Sequence, residues 1–196
     1  LYAEFIDLQS WYRRFFMRSL TEEETKAVEK VRSFLEGEGY EGEIFFTEDT
    51  IFTVEDASRA VGVRPEEILK SLVLLADDKP ILVLMSGPNK VDIKKIKRML
   101  GARKVKMADP GYVYEYTGYR IGGVPPVGYP EKPKAFIDED VFLYDTLWAA
   151  AGSEHSFFPV GPLELARLAS AEKADLKKEK NRIITRKPFR VLPRYY

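Results

Sequence analysis

An α+β fold with a mixed sheet is the prediction, and three observations carry it. Short apolar runs of strand type and amphipathic stretches of helix type alternate along the chain, joined by short links. Residues 70–76 and 81–85 are two such strands, separated only by Asp77-Asp78-Lys79-Pro80. That link is short enough to make them an antiparallel hairpin and to argue against a regular βαβ array. Hydrophobic residues make up 45% and aromatics 13% of the 196 positions, which supplies a core and excludes a largely disordered chain.

Each element has a local cause. Residues 2–18 carry Phe5, Leu8, Tyr12 and Phe15 at helical spacing and predict an aromatic amphipathic helix. Thr21 and Glu24 form a capping-box pattern that starts a second helix. Ala27, Val28, Val31, Phe34 and Leu35 lie on its inner face, and Gly37 and Gly39 end it. Residues 43–47 read as a short strand. Thr53 and Asp56 repeat the capping pattern for a helix that stops at Gly62, and Pro65 suits the first position of another turn. The strand at 81–85 is apolar on both faces and is therefore expected to be central and covered on both sides.

Further along, residues 92–100 form a helix with Ile93, Ile96, Met99 and Leu100 inward and Lys94, Lys95, Lys97 and Arg98 outward. A strand at 104–107 and a helix from Asp109-Pro110 to Gly118 follow. Strands are expected at 134–137, 146–151 and 156–160, and a helix opens at Gly161-Pro162. The tail from Asp175 is basic and interleaves Lys177, Lys178, Arg182 and Arg190 with Phe189, Tyr195 and Tyr196. It reads either as a grip on phosphates and bases or as a segment packed back through Ile183, Ile184 and Val191.

Composition removes several chemistries. There is no Cys, so disulfides, thiolate nucleophiles and cysteine zinc sites are impossible. His155 is the only histidine, so a multi-histidine metal site is excluded and any Ser-His-Asp triad must run through that residue. With 31 basic and 31 acidic residues the net charge is zero, and any nucleic-acid surface must be local. No apolar run reaches the roughly 18–20 residues that span a bilayer. The first twenty residues lack the apolar region of a signal peptide, so a cytoplasmic protein with no membrane partner is expected. Few amides beside many Glu, Lys and Arg suggest a thermophilic source.

Four features remain as carriers of chemistry. Lys70 shares a strand face with Leu72 and Leu74. It reads either as a strand-end lysine snorkelling to water or as a lysine at a pocket wall that holds an anionic or polar ligand group. The run Gly122-Gly123-Val124-Pro125-Pro126 is either a tight connection or a rigid nest of N–H donors that polarises a carbonyl or positions a water. His155, in Gly152-Ser153-Glu154-His155-Ser156, is either a hydrogen-bonding surface residue or a catalyst, and Ser153, Glu154 and Ser156 beside it are natural polar pocket liners that no spacing rule makes a nucleophilic site. Asp138-Glu139-Asp140 reads as a loop or helix start, with a divalent cation as the alternative.

An ordered series of segments resembles the YbaK/ProX family, freestanding relatives of the prolyl-tRNA synthetase insertion (editing) domain. The series begins with residues 54–63 (Val-Glu-Asp-Ala-Ser-Arg-Ala-Val-Gly-Val) and continues with Glu66 through Lys70 into Ser71-Leu72-Val73-Leu74. Asn89-Lys90-Val91-Asp92-Ile93-Lys94-Lys95, Leu100-Gly101-Ala102, Ala108-Asp109-Pro110 and Thr117-Gly118-Tyr119 come next. Gly122 through Pro126, Ile137-Asp138 and Ala151-Gly152-Ser153 complete it.

The resemblance implies a single α+β editing domain at residues 21–174, with a mixed, largely antiparallel, strongly twisted or barrel-like sheet surrounded by helices. Residues 1–20 would be a helical extension and 175–196 a basic tail. It implies trans-editing: hydrolysis of the ester of mischarged tRNA, of tRNA-Pro type, without metal or other cofactor. Lys70, Gly122 and Gly123 would be the catalytic set. Val124, Pro125, Pro126, Gly152, Ser153 and His155 would bind substrate, His155 being only a loose match. The partners implied are the 3′ acceptor end of aminoacyl-tRNA and a synthetase. Two other classes stay open: a non-catalytic tRNA- or nucleotide-binding module of the same fold, and a small-molecule ester hydrolase working through His155.

Overall fold

The computed structural model describes residues 20–47, 51 and 53–179, so the helix expected at 2–18 and the tail from residue 180 lie outside the described residues. Helix α1 (Glu22–Gly37) opens on the expected capping box: the Thr21 hydroxyl accepts from Glu24 N–H and the Glu24 carboxylate accepts from Thr21 N–H. Its Val28, Val31 and Leu35 are buried. Strand β1 (Phe45–Phe46) is shorter than the expected 43–47. Helix α2 (Val54–Val61) has the second capping box and ends at Gly62 in the left-handed region, φ 73°.

A 3-10 turn at Pro65–Glu67 feeds strand β2 (Leu69–Ala76), which pairs antiparallel with β3 (Lys79–Ser86). The turn is tighter than expected. Only Asp77 and Asp78 form it, both with positive φ (46° and 64°), and Lys79 and Pro80 already belong to the ladder. Asp77 tolerates this because its carboxylate accepts from the Arg103 and Lys104 N–H groups, at 3.0 and 2.8 Å. Helix α3 (Ile93–Leu100), strand β4 (Val105–Met107), helix α4 (Pro110–Thr117) and strand β5 (Lys134–Asp138) follow. Ile96 of α3 is buried as expected, but Met99 is exposed at the end of the helix. After a 3-10 turn at Glu139–Leu143 come β6 (Leu147–Ala150), β7 (Ser156–Val160), α5 (Pro162–Ala169) and β8 (Ala171–Ala174).

The strands form two open sheets. One has the order β4-β2-β3-β5-β8, antiparallel through β3 and parallel from β3 to β5 and from β5 to β8. The other is the antiparallel set β1-β7-β6. A bridge between Ile68 and Trp148 ties the sheets together just before Lys70. The mixed sheet of an α+β domain is thus as expected, and neither sheet closes into a barrel.

Strand β3 shows why it is apolar on both sides. Leu82 and Leu84 face a core shared with α1 and α5, while Ile81, Val83 and Met85 face a second core under α3. Strand β8 was not expected. Ala-Glu-Lys-Ala has little strand propensity, and it pairs because α5 delivers it to the free edge of β5. Among the described residues no helix is long and apolar enough to cross a membrane.

Candidate functional site

The loop from Ile121 to Gly128 follows α4 and is held by tyrosines. Tyr119 is buried and its hydroxyl donates to the Gly128 carbonyl at 2.8 Å, and the Tyr129 hydroxyl donates to the Pro125 carbonyl. Burial pushes both phenols above their usual range, so they remain donors throughout the physiological pH range. Lys30 of α1 sits over the Tyr119 ring, 5.1 Å from its centroid.

The two glycines differ. Gly122 is exposed at the rim with φ 98°, a conformation that excludes most side chains. Gly123 is buried and pressed against a second loop: a Cβ placed there would stand 2.7–2.9 Å from the backbone of Ser153. Gly123 N–H donates to the Arg120 carbonyl at 3.0 Å, and Gly123 O accepts from Gly152 N–H at 3.1 Å. Val124, Pro125 and Pro126 are all buried behind them.

The second loop, residues 152–155, is equally fixed. Gly152 has φ 101°, and a Cβ there would meet the Ala27–Val28 backbone of α1 at 2.8–3.0 Å. The Ser153 hydroxyl donates to Ser156 Oγ at 2.9 Å, so Ser153 is a buried structural hydroxyl in a serine pair. His155 N–H donates to Ser153 Oγ at 3.3 Å, and the His155 carbonyl accepts from Thr47 N–H at 2.9 Å. Glu154 and His155 also approach Glu24: one ligand atom from each lies within 4.8 Å of the others, close enough to share a metal ion. Glu24 Oε2 already accepts from Thr21 N–H and the Thr21 hydroxyl at 2.8 and 2.7 Å, which accounts for its position without an ion.

Lys70 lies on β2 on the face of Leu72 and Leu74, partly buried, and its ammonium donates to the main-chain carbonyl of Asn89. Burial lowers its pKa from the usual lysine value, opposed by the nearby Glu55 carboxylate and reinforced by Lys90. The link from Lys70 to the two loops runs through Ile51. Ile51 N–H donates to Glu154 O at 3.2 Å, and Ile51 O lies 3.5 Å from where a Gly122 Cβ would be. Ile51 then packs with Ala57, Ile68 and Phe157. Ile68 is two residues before Lys70, about 7 Å along an extended strand.

The structure therefore brings Gly122, Gly123, Gly152, Ser153 and His155 into one loop pair and sets Lys70 on the neighbouring strand beyond a small cluster. Ile51 and the two tyrosines also belong to this arrangement, and sequence reasoning gave them no role. Their signal was weak, since each acts through a backbone group or a packing contact rather than through a motif. Asp138-Glu139-Asp140 is structural. Asp138 accepts from Asp140 N–H and Leu176 N–H, and Asp140 from the Asn89 amide and Lys177. A cavity of about 60 Å³ lies behind the loop, between Phe34, Leu82, Pro126, Val127 and Leu168. It is well short of the several hundred Å³ of a ligand pocket.

A sequence model of the aminoacyl-tRNA editing domain matches residues 48–168. The uncharacterized protein YwhH of Bacillus subtilis is 32% identical over 144 residues, spanning 73% of this chain and 91% of that protein. The proline–tRNA ligase of Listeria innocua is 35% identical over 89 residues, which are 45% of this chain and 16% of the ligase. One solved structure, described as a candidate trans-editing enzyme for prolyl-tRNA synthetase, superposes with a TM-score of 0.75 at 36% identity. It covers 82% of this chain and 100% of that one. The chain belongs to the aminoacyl-tRNA editing domain family, and the resemblance to the YbaK type and to the prolyl-tRNA synthetase insertion domain holds.

Proposed function

We propose that the protein is a trans-editing deacylase that hydrolyses the ester of mischarged tRNA, of the tRNA-Pro type. The observation that carries this reading is the two-loop clamp, in which Gly123 is pressed on Ser153 and Gly152 on α1, with a partly buried lysine on the strand that follows the cluster of Ile51 and Ile68. Similarity to proline–tRNA ligases supports the choice of tRNA.

The substrate explains why so few reactive side chains suffice. An aminoacyl ester is already activated, so a water held in line and donors aimed at the developing oxyanion provide much of the rate. Water attacks the carbonyl carbon, the carbonyl oxygen becomes an oxyanion, and the ester C–O bond breaks. The ribose oxygen leaves and takes a proton, giving free amino acid and tRNA. A neighbouring ribose hydroxyl of the terminal adenosine assists the proton movement.

Pro125 and Pro126 carry no N–H, and Gly123 N–H is engaged with Arg120. We therefore assign the oxyanion donors to the Gly122 and Val124 amides and give Gly123 the role of seating the loop. Lys70 orients the tRNA 3′ end through its charge. Gly152, Ser153 and His155 form the opposite wall with Pro125 and Pro126. Removing one donor of this kind elsewhere costs about 10²–10³ in rate.

The test is deacylation of a panel of aminoacyl-tRNAs by wild type and Lys70→Ala, with spontaneous hydrolysis subtracted. Turnover of at least one mischarged tRNA-Pro, lost in Lys70→Ala, is the expected result. No turnover on any tRNA would favour a non-catalytic binding module. Activity that survives Lys70→Ala and disappears in His155→Ala would favour an esterase centred on the imidazole.

A further inference from the structure

We infer that residues 175–179 form a strap that positions Lys70 by fixing its acceptor, Asn89, with Lys177 and Asp140 as the positioning side chains. The inference rests on the editing role proposed for Lys70.

The geometry starts at β8, which runs parallel to β5 and delivers the chain beside the loop at residues 89–92. There Leu176, fully buried in the core under α3, donates its N–H to Asp138 Oδ2 at 2.9 Å and accepts from Asp92 N–H at 2.8 Å. Lys178 N–H donates to the Lys90 carbonyl at 2.7 Å, and Val91 and Lys177 form an antiparallel bridge. The strap is thus an added rung on the loop that follows β3. Lys95 of α3 braces it from outside, 2.6 Å from Asp175 and 3.4 Å from Glu179.

Asn89 is held at three points. Its N–H donates to Ser86 O at 3.0 Å, its side-chain amide donates to Asp140 Oδ2 at 2.9 Å, and its carbonyl receives the Lys70 ammonium. Asp140 also accepts from Lys177. Burial alone would raise the Asp140 carboxyl, but the Lys177 and Asn89 hydrogen bonds outweigh it and hold its pKa below the usual value. Lysine is a flexible chain ending in a point charge, so a fixed acceptor decides where that charge sits. The charged groups facing Lys70 itself are Glu55 and Lys90, and both flank the same loop or α2. The strap lies C-terminal to the span 48–168 matched by the family, yet it reaches the lysine through two side chains.

The test compares Lys177→Met, Asp140→Ala and Lys177→Arg with wild type in two measurements. One is kcat/KM on the mischarged tRNA that wild type hydrolyses best. The other is the titration midpoint of Lys70 by NMR of protein carrying 13C-labelled lysine, with its signal identified by loss in Lys70→Arg. Loosening Asn89 lets water reach the ammonium, so both Lys177→Met and Asp140→Ala should raise the midpoint toward the ordinary lysine value. Both should also lower kcat/KM by about tenfold or more, and Lys177→Arg should restore both readings. Through-space charge effects alone would instead move the midpoint up in Lys177→Met and down in Asp140→Ala. Opposite shifts, or values within about twofold of wild type in both variants, would overturn the positioning role. If wild type hydrolyses no tRNA while both variants raise the midpoint, the editing role fails and the strap's hold on Lys70 stands. Lys177 is only partly buried, so Lys177→Met retains the fold if Asp140→Ala does not.

Discussion

Replacing Gly123 by alanine isolates the loop clamp from every side-chain chemistry. The added methyl would stand 2.7 Å from Ser153 Cα, 2.8 Å from its carbonyl carbon and 2.9 Å from its nitrogen. Ordinary contact for such atoms begins near 3.4 Å, so the two backbones must separate by roughly 0.5–0.7 Å. Neither side yields easily. The Gly152 N–H to Gly123 O bond crosses the same gap, and Gly152 is itself pressed on α1. Overpacking of this kind costs about 1–3 kcal/mol. At about 2–4 °C per kcal/mol for a domain of this size, Tm should fall by roughly 2–12 °C. The rate should suffer more than the fold, because a misplacement near 1 Å costs on the order of 10² when catalysis depends on donor placement. Deacylation at saturating mischarged tRNA, with Tm measured beside it, checks both numbers. Gly123→Ala with wild-type kcat and an unchanged Tm would refute the reasoning, because it would show that the contact is not tight or that the loop does not hold the ester.

Lys70→Met should abolish most of the turnover while leaving Tm unchanged or slightly higher, measured by thermal denaturation at pH 7. The sign follows from the lowered pKa of Lys70. The folded protein holds that proton less tightly than the unfolded chain does, so the charged form carries a folding penalty at neutral pH. The penalty is relieved only as pH rises from the folded pKa toward the ordinary lysine value. By the same argument, enzymatic deacylation above the spontaneous blank should decline on the alkaline side at a pH below the ordinary lysine pKa, as a pH–rate profile would show. Tyr129→Phe leaves the Pro125 carbonyl without its donor and should cost about 1 kcal/mol in a denaturant titration, with a lower kcat. His155→Ala should raise KM several-fold, on the order of 1 kcal/mol of binding, and leave kcat within about twofold, since its role is to line the wall.

Much of the fold was legible because local chemistry and tertiary structure agree. The two capping boxes at Thr21 and Thr53, the glycines that close α2, α3 and α4, and the two-sided apolar run of β3 each specify one outcome. The reading failed where context overrode composition. Strand β8 is polar and exists because β5 has an open edge, and Lys79 and Pro80 join the ladder because two aspartates accept left-handed geometry. The site was legible as parts and illegible as contacts. Lys70 and the Gly-Gly-Val-Pro-Pro run stand out in the sequence. Nothing in the sequence shows that Gly123 rests on Ser153, that Ile51 joins the loops to the strand before Lys70, or that Asp140 and Lys177 converge on Asn89. Those are backbone contacts and pairings between segments far apart in the chain, with no local signature.

The most direct measurement of the backbone mechanism is a crystal structure with a non-hydrolysable substrate mimic, an adenosine carrying the amino acid through a 3′-amide in place of the ester. The mechanism predicts that the acyl oxygen lies within about 3 Å of the Gly122 or Val124 nitrogen, with the Lys70 ammonium facing the nucleotide's 5′ side. An acyl oxygen bound instead by the His155 ring, or lying beyond hydrogen-bond reach of both amides, would contradict it.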